Sequence, residues 1–246
     1  MKKMLIAVTA CAIAVVSLNS CKKSDTTTNT PSNNPPSVTP PADANAAFAA
    51  VRVKSTQTVA GITVPIDVNT AVAWFGSAST PVDGGNVSCE GVALSKINGM
   101  YTFQPTATNT SIDLSSPISW VVSGNAANSV PSFSKDDNHS FPYVDDITNP
   151  GDINIHSSFT LSATSTVTYC DSVIFVVAGP SGNVKKIKPA GTSSCTFTQA
   201  EMETVGTGSG IVQIAPYRVS LDNTIAAGKN YYFVLETCAN RFVTFK

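Results

Sequence analysis

From about residue 47 to its end the chain never sustains a helical apolar stripe. Instead, short runs rich in Val, Ile, Thr and aromatic residues are each closed by Gly, Pro or Asn. "ITVPIDVNTAVAWFG", "GNVSCEGVAL", "MYTFQPT", "ISWVVSG" and "INIHSSFTLS" all have this form. Strict alternation shows in Val51-Arg52-Val53-Lys54, and Asn98-Gly99 stands between two such runs as a two-residue hairpin turn. Asp83-Gly84-Gly85 marks another turn. "SVIFVVAG" is apolar without alternation, as a strand covered on both faces must be. Only "TFTQAEMETVG" carries a helix signal: Thr198 and Glu201 form a capping box, and Gly206 can end the turn. The fold class that follows is all-β.

Charged residues make up 13% of the chain, about half the usual share, so Ser, Thr, Asn and Val carry the strands and turns. The break "DDITNPGD" and the length on either side of it predict two β-sandwich units, 47–148 and 149–246. In the second, a strand, a short helical crossing and the long strand "GIVQIAPY" resemble the layout of immunoglobulin-like and fibronectin type III domains. That resemblance implies two immunoglobulin-like sandwiches.

The first 46 residues have another character. Lys2-Lys3, an apolar stretch from Met4 to Val16 and small polar residues make residues 1–20 a signal peptide. The apolar stretch is shorter than the ~20 residues a membrane-spanning helix needs. Leu18-Asn19-Ser20-Cys21 resembles the lipobox of bacterial lipoproteins. The resemblance implies a diacylglycerol thioether on Cys21, cleavage before it, and a further acyl chain such as palmitate on the new amine. Two or three chains hold durably where one does not. An ordinary secretory signal with an incidental cysteine is the competing reading. Residues 21–46, with five Pro among Thr, Ser and Asn, read as the lipidated Cys followed by a flexible, extended tether. Lys22-Lys23 lack the Asp that retains some lipoproteins at the inner membrane, which points to the outer membrane. The periplasmic and cell-surface faces both remain open. The region 47–246 is also similar to Bacteroidota lipoproteins that carry no assigned activity. The landmarks are "VDGGNVSCEGVALSKINGMYTF", "ISWVVSG" and "FTQAEM".

Removing Lys2 and Lys3 from the 15 basic residues leaves 13 against 16 acidic ones, a net charge of −3 after the leader. That is no footprint for nucleic acid. Four cysteines remain in the body: Cys89, Cys170, Cys195 and Cys238. An exported compartment permits disulfides, and a bridge involving Cys238 is preferred because it sits near the expected closing hairpin. Their spacing lacks the CxxC or CxxH of a zinc site. "SKDDNHSFPYVDDITNPGD" gathers Asp136, Asp137, Asp145 and Asp146, which could hold Ca²⁺, against a plainer reading as a solvated acidic loop. No other cofactor is indicated.

Catalytic material is sparse. There are two His, no GxSxG, and four Glu (Glu90, Glu201, Glu203, Glu236), three of which suit exposed strand or helix positions. Trp74 and Trp120 lie in apolar strands and read as core, whereas Phe141 and Tyr143 lie in the polar loop and read as contact residues. The expectation is a membrane-anchored, non-enzymatic binding or adhesion module for a glycan or protein partner. The alternative is a structural accessory subunit of an envelope complex. An enzyme is disfavoured.

Overall fold

The structure, a computed structural model, describes residues 43–59, 62–77, 80–106, 109–115, 117–148 and 150–246. The leader, Cys21 and nearly all of the tether lie outside the described residues. Its last residues do not behave as tether. Ala44 is buried, and Asp43 accepts hydrogen bonds from Asn230 Nδ2 and Tyr232 Oη.

The fold is all-β, as the punctuated pattern requires. One large sheet runs in the order β12 (Asn183–Pro189), β11 (Ser172–Ala178), β14 (Gly208–Asp222), β15 (Tyr231–Phe245), β1 (Ala46–Val59), β2 (Ile62–Ser77), β7 (Met100–Thr102), β6 (Ser95–Ile97). A short strand, β3 (Thr80–Pro81), pairs with β2. Two smaller sheets lie beside it: β5 (Val92–Ala93), β4 (Val87–Cys89), β8 (Ile118–Val122), β9 (Phe133–Asp137); and β10 (Phe159–Ser162) with β13 (Ser194–Phe197).

Several local readings hold. Asn98 and Gly99 both have positive φ, 51° and 80°, and join β6 to β7 as a tight hairpin. Thr198 caps α1 (Gln199–Glu203) with the reciprocal Glu201 bonds of a capping box. β11 is buried along five consecutive residues, and both Trp are in the core.

The two predicted units are not separate. Strand β1, from the first, pairs in parallel with β15, the last strand of the second, in the register Ala46↔Tyr231 to Thr56↔Arg241. One sheet therefore spans both halves. The division survives in the cores. One cluster (Phe48, Phe75, Trp120, Phe233 and neighbours) fills the space under β4-β5-β8-β9. A second (Phe175, Phe197, Met202, Phe245 and neighbours) lies under β10–β13 and α1. Along β15 the residues Tyr231, Phe233 and Leu235 serve the first, and Ala239, Val243 and Phe245 the second. They share one parity, so both cores sit on the same face of the large sheet. A third cluster, including Val51, Val53, Ile174, Val176, Tyr217 and Cys238, occupies the opposite face.

Candidate functional site

Between the first two cores the shared face turns polar. Arg52 and Lys54 of β1 and Thr237 of β15 lie on that face there, with Arg52 paired to Thr237 in register. The loop predicted to make contacts lies across this waist. Thr237 Oγ1 donates to the Pro142 carbonyl at 2.6 Å. Lys54 Nζ donates to the Val144 carbonyl at 3.2 Å. Arg52 donates to the Leu114 carbonyl at 2.5 Å, and its guanidinium stands 3.8 Å from the centroid of the Phe141 ring. Phe141 is therefore not the exposed contact residue its polar neighbours suggested. It is 6% exposed, held under the cation.

Tyr143 is exposed, at 43%. It exchanges backbone hydrogen bonds with Thr168 at 2.9 and 3.1 Å, and Lys54 Nζ lies 5.1 Å from its ring centroid. The next residue, Tyr169, is 63% exposed and has φ +58°, a left-handed conformation uncommon for a bulky residue. Two tyrosines are thus offered to solvent from one backbone bridge. Sequence reading missed Tyr169, because "STVTYCDSV" resembles an ordinary strand entry.

The predicted calcium carboxylates are not gathered. Asp136 is exposed on β9, while Asp137 is buried and accepts from both the backbone N and Nδ1 of His139, the latter at 2.6 Å. Asp145 accepts from Thr164 Oγ1 at 3.5 Å. Asp146 pairs with Arg241 at 2.5 Å. Among the described residues no group of three His, Cys, Asp or Glu is placed to hold a metal ion.

The expected disulfides are likewise absent among the described residues, where no disulfide joins Cys89, Cys170, Cys195 or Cys238. Placement in different cores separates every pair except Cys170 and Cys195. Cys89 belongs to the first core, Cys195 with the flanking Cys170 to the second, and Cys238 to the third, on the far face of the sheet. Cys238 lies in the middle of β15 rather than at a closing hairpin. Burial pushes the Cys89 thiol up to about 12, with Glu90 adding to the effect.

Of the four Glu, all within the described residues, Glu236 alone is buried. It is 1% exposed, in phase along β15 with Val234 and Cys238 on the third-core face. Cys238 Sγ donates to Glu236 Oε1 at 2.8 Å, and Gln213 Nε2 donates to Cys238 Sγ at 2.9 Å. Burial raises the carboxyl to about 8, against a smaller opposing pull from the Cys238 hydrogen bond. The sequence signal was present: "YYFVLETCA" is apolar at both parities around Glu236, so both faces had to be covered.

A cleft of about 360 Å³ opens beside the first core, lined by residues including Asp83, Asn86, Leu94, Lys96 and Tyr101. Tyr101 Oη donates to Asp83 Oδ1 at 2.6 Å, and Lys96 Nζ stands 2.9 Å from Asp83 Oδ2. The Tyr101 hydrogen bond, then Lys96, hold the Asp83 carboxyl well below the usual range. Burial and the Asp83 bond raise Tyr101 to about 12.

No family model matches this chain, and no curated protein matches it. No helix among the described residues is long and apolar enough to cross a membrane.

Proposed function

We propose that this chain is a lipid-anchored protein of the bacterial outer membrane, held through Cys21. On this reading it works as a non-enzymatic binding module for a glycan or protein partner. The observation that carries the binding role is the exposure of Tyr143 and Tyr169 at the waist. Tyrosines supply large contact area at low entropic cost and are favoured at recognition surfaces. Their backbone is pinned by the Thr168 bridge and by the Thr237 and Lys54 bonds to the same loop, so little ordering is required on binding.

The alternative, assembly into a larger envelope complex by strand addition, is disfavoured at β12. That edge carries Lys185, Lys186 and Lys188 and ends at Pro189, which is how sheets blunt an edge against pairing.

The test is capture of partners by the full chain on intact cells, alongside a glycan array. Tyr143→Ala with Tyr169→Ala is expected to weaken capture by about thirtyfold or more, with the melting temperature kept. Unchanged capture by this well-folded variant contradicts the reading. In the same cells, Cys21→Ser is expected to move the protein from the membrane fraction to the soluble one. Retention in the membrane with an unshifted mass removes the lipid anchor from the account.

A further inference from the structure

The cleft beside the first core has the chemistry of a ligand site, and it is separate from the tyrosine waist. Its volume, about 360 Å³, lies in the range of small-molecule sites, roughly 300–1,000 Å³. Val87, Ala93 and Leu94 supply apolar wall, and Asp83, Asn86 and Lys96 the polar part of the lining.

The carboxylate is fixed before any ligand arrives. Asp83 Oδ1 accepts from Tyr101 Oη at 2.6 Å and from the Gly85 N–H at 2.8 Å. The Gly84 N–H donates to Tyr101 Oη at 3.0 Å, and Asn128 Nδ2 holds the Asp83 carbonyl at 3.0 Å. The turn admits only glycine at position 85, where φ is +83° and a Cβ would stand 2.3 Å from the Gly124 carbonyl oxygen. Asp83 Oδ2 remains for Lys96 Nζ, and both side chains are partly open to solvent.

An ammonium beside a carboxylate oxygen at 2.9 Å offers one donor and one acceptor about a hydrogen bond apart. Two neighbouring hydroxyls match that pair: one donates to Asp83 Oδ2, and the next accepts from Lys96 Nζ. An anion meets Asp83, and a cation meets Lys96, so the pair selects against net charge on the ligand. The apolar wall suits the C–H face of a ring. We propose that this cleft binds a neutral pyranose sugar through a vicinal diol held between Asp83 and Lys96.

The experiment titrates the full chain, in a sugar-free zwitterionic detergent, with three probes followed by NMR. They are methyl α-D-mannopyranoside, methyl α-D-glucopyranoside and methyl β-D-galactopyranoside. At least one is expected to saturate with a millimolar Kd. Lys96→Met leaves the Tyr101–Asp83 bond and the turn in place, so it is the decisive variant. It should weaken that binding about tenfold or more, the loss expected for one charged hydrogen bond. Asp83→Asn should do the same wherever its melting temperature is kept. Tyr143→Ala with Tyr169→Ala should leave the Kd unchanged, which separates this site from the waist. The proposal is overturned if none of the three saturates below about 100 mM. It is equally overturned if a sugar binds and Lys96→Met leaves its Kd unaltered.

Discussion

Glu236→Gln is expected to remove most of the pH dependence of stability between about pH 5 and pH 9, and to leave the variant more stable than wild type at the alkaline end. The carboxyl titrates near 4.5 when unperturbed and near 8 in the fold. Below the unfolded value it is protonated in both states, and its favourable contribution is fully present. As pH rises, the unfolded chain releases the proton while the folded one keeps it. Stability therefore falls until pH passes about 8, and then levels. The total fall is on the order of 5 kcal/mol. Gln keeps the shape and an oxygen that can accept from Cys238 Sγ, and it does not titrate. Urea midpoints of both proteins at acid, neutral and alkaline pH measure the effect. A wild-type midpoint that is flat across that range contradicts a buried, neutral Glu236.

Phe48→Ala should be the most damaging single core truncation on β1. Phe48 stacks on Phe233 at 4.9 Å and meets Phe75, Trp120 and Phe133 edge-on at 5.2–5.7 Å. Those rings come from β2, β8, β9 and β15, so one side chain joins both layers of the first core. A buried Phe→Ala change costs about 3–5 kcal/mol, and for a chain of this size that lowers the melting temperature by roughly 10 °C or more. Because β1 is paired to β15 from Ala46 to Thr56, the loss should appear in a single unfolding transition. A second transition left at the wild-type temperature would mean that the C-terminal half folds alone.

Much of the architecture could be read locally. The Asn98-Gly99 hairpin, the Thr198–Glu201 cap, the doubly buried β11 and the core placement of Trp74 and Trp120 each depend on a few adjacent residues. The β1–β15 pairing depends on residues 185 positions apart (Ala46 and Tyr231), and nothing in the alternation of either strand names its partner. That pairing explains why the division near residue 148 marks two cores but not two sheets. It also explains Glu236: from Phe233 to Asn240 the central strand β15 is buried on both faces, so a carboxyl there is buried whichever way it points. The waist was half legible. Tyr143 and Phe141 stood out in a polar loop, but the cation on β1 that covers Phe141 and leaves Tyr143 open becomes visible only once the loop is laid across Arg52 and Lys54. Tyr169 joins Tyr143 through a backbone bridge with no sequence signature.

The shared sheet also frames the functional reading, because the waist lies where residues of the two halves meet in register. Native-state hydrogen exchange on the full chain tests it most directly. The amides of β1 between Phe48 and Val53 and those of β15 between Leu235 and Ala239 should open with the same free energy, equal to that of global unfolding. If the β1 set exchanges through an opening several kcal/mol cheaper than the β15 set, the two halves are independent units and the account of the waist is wrong.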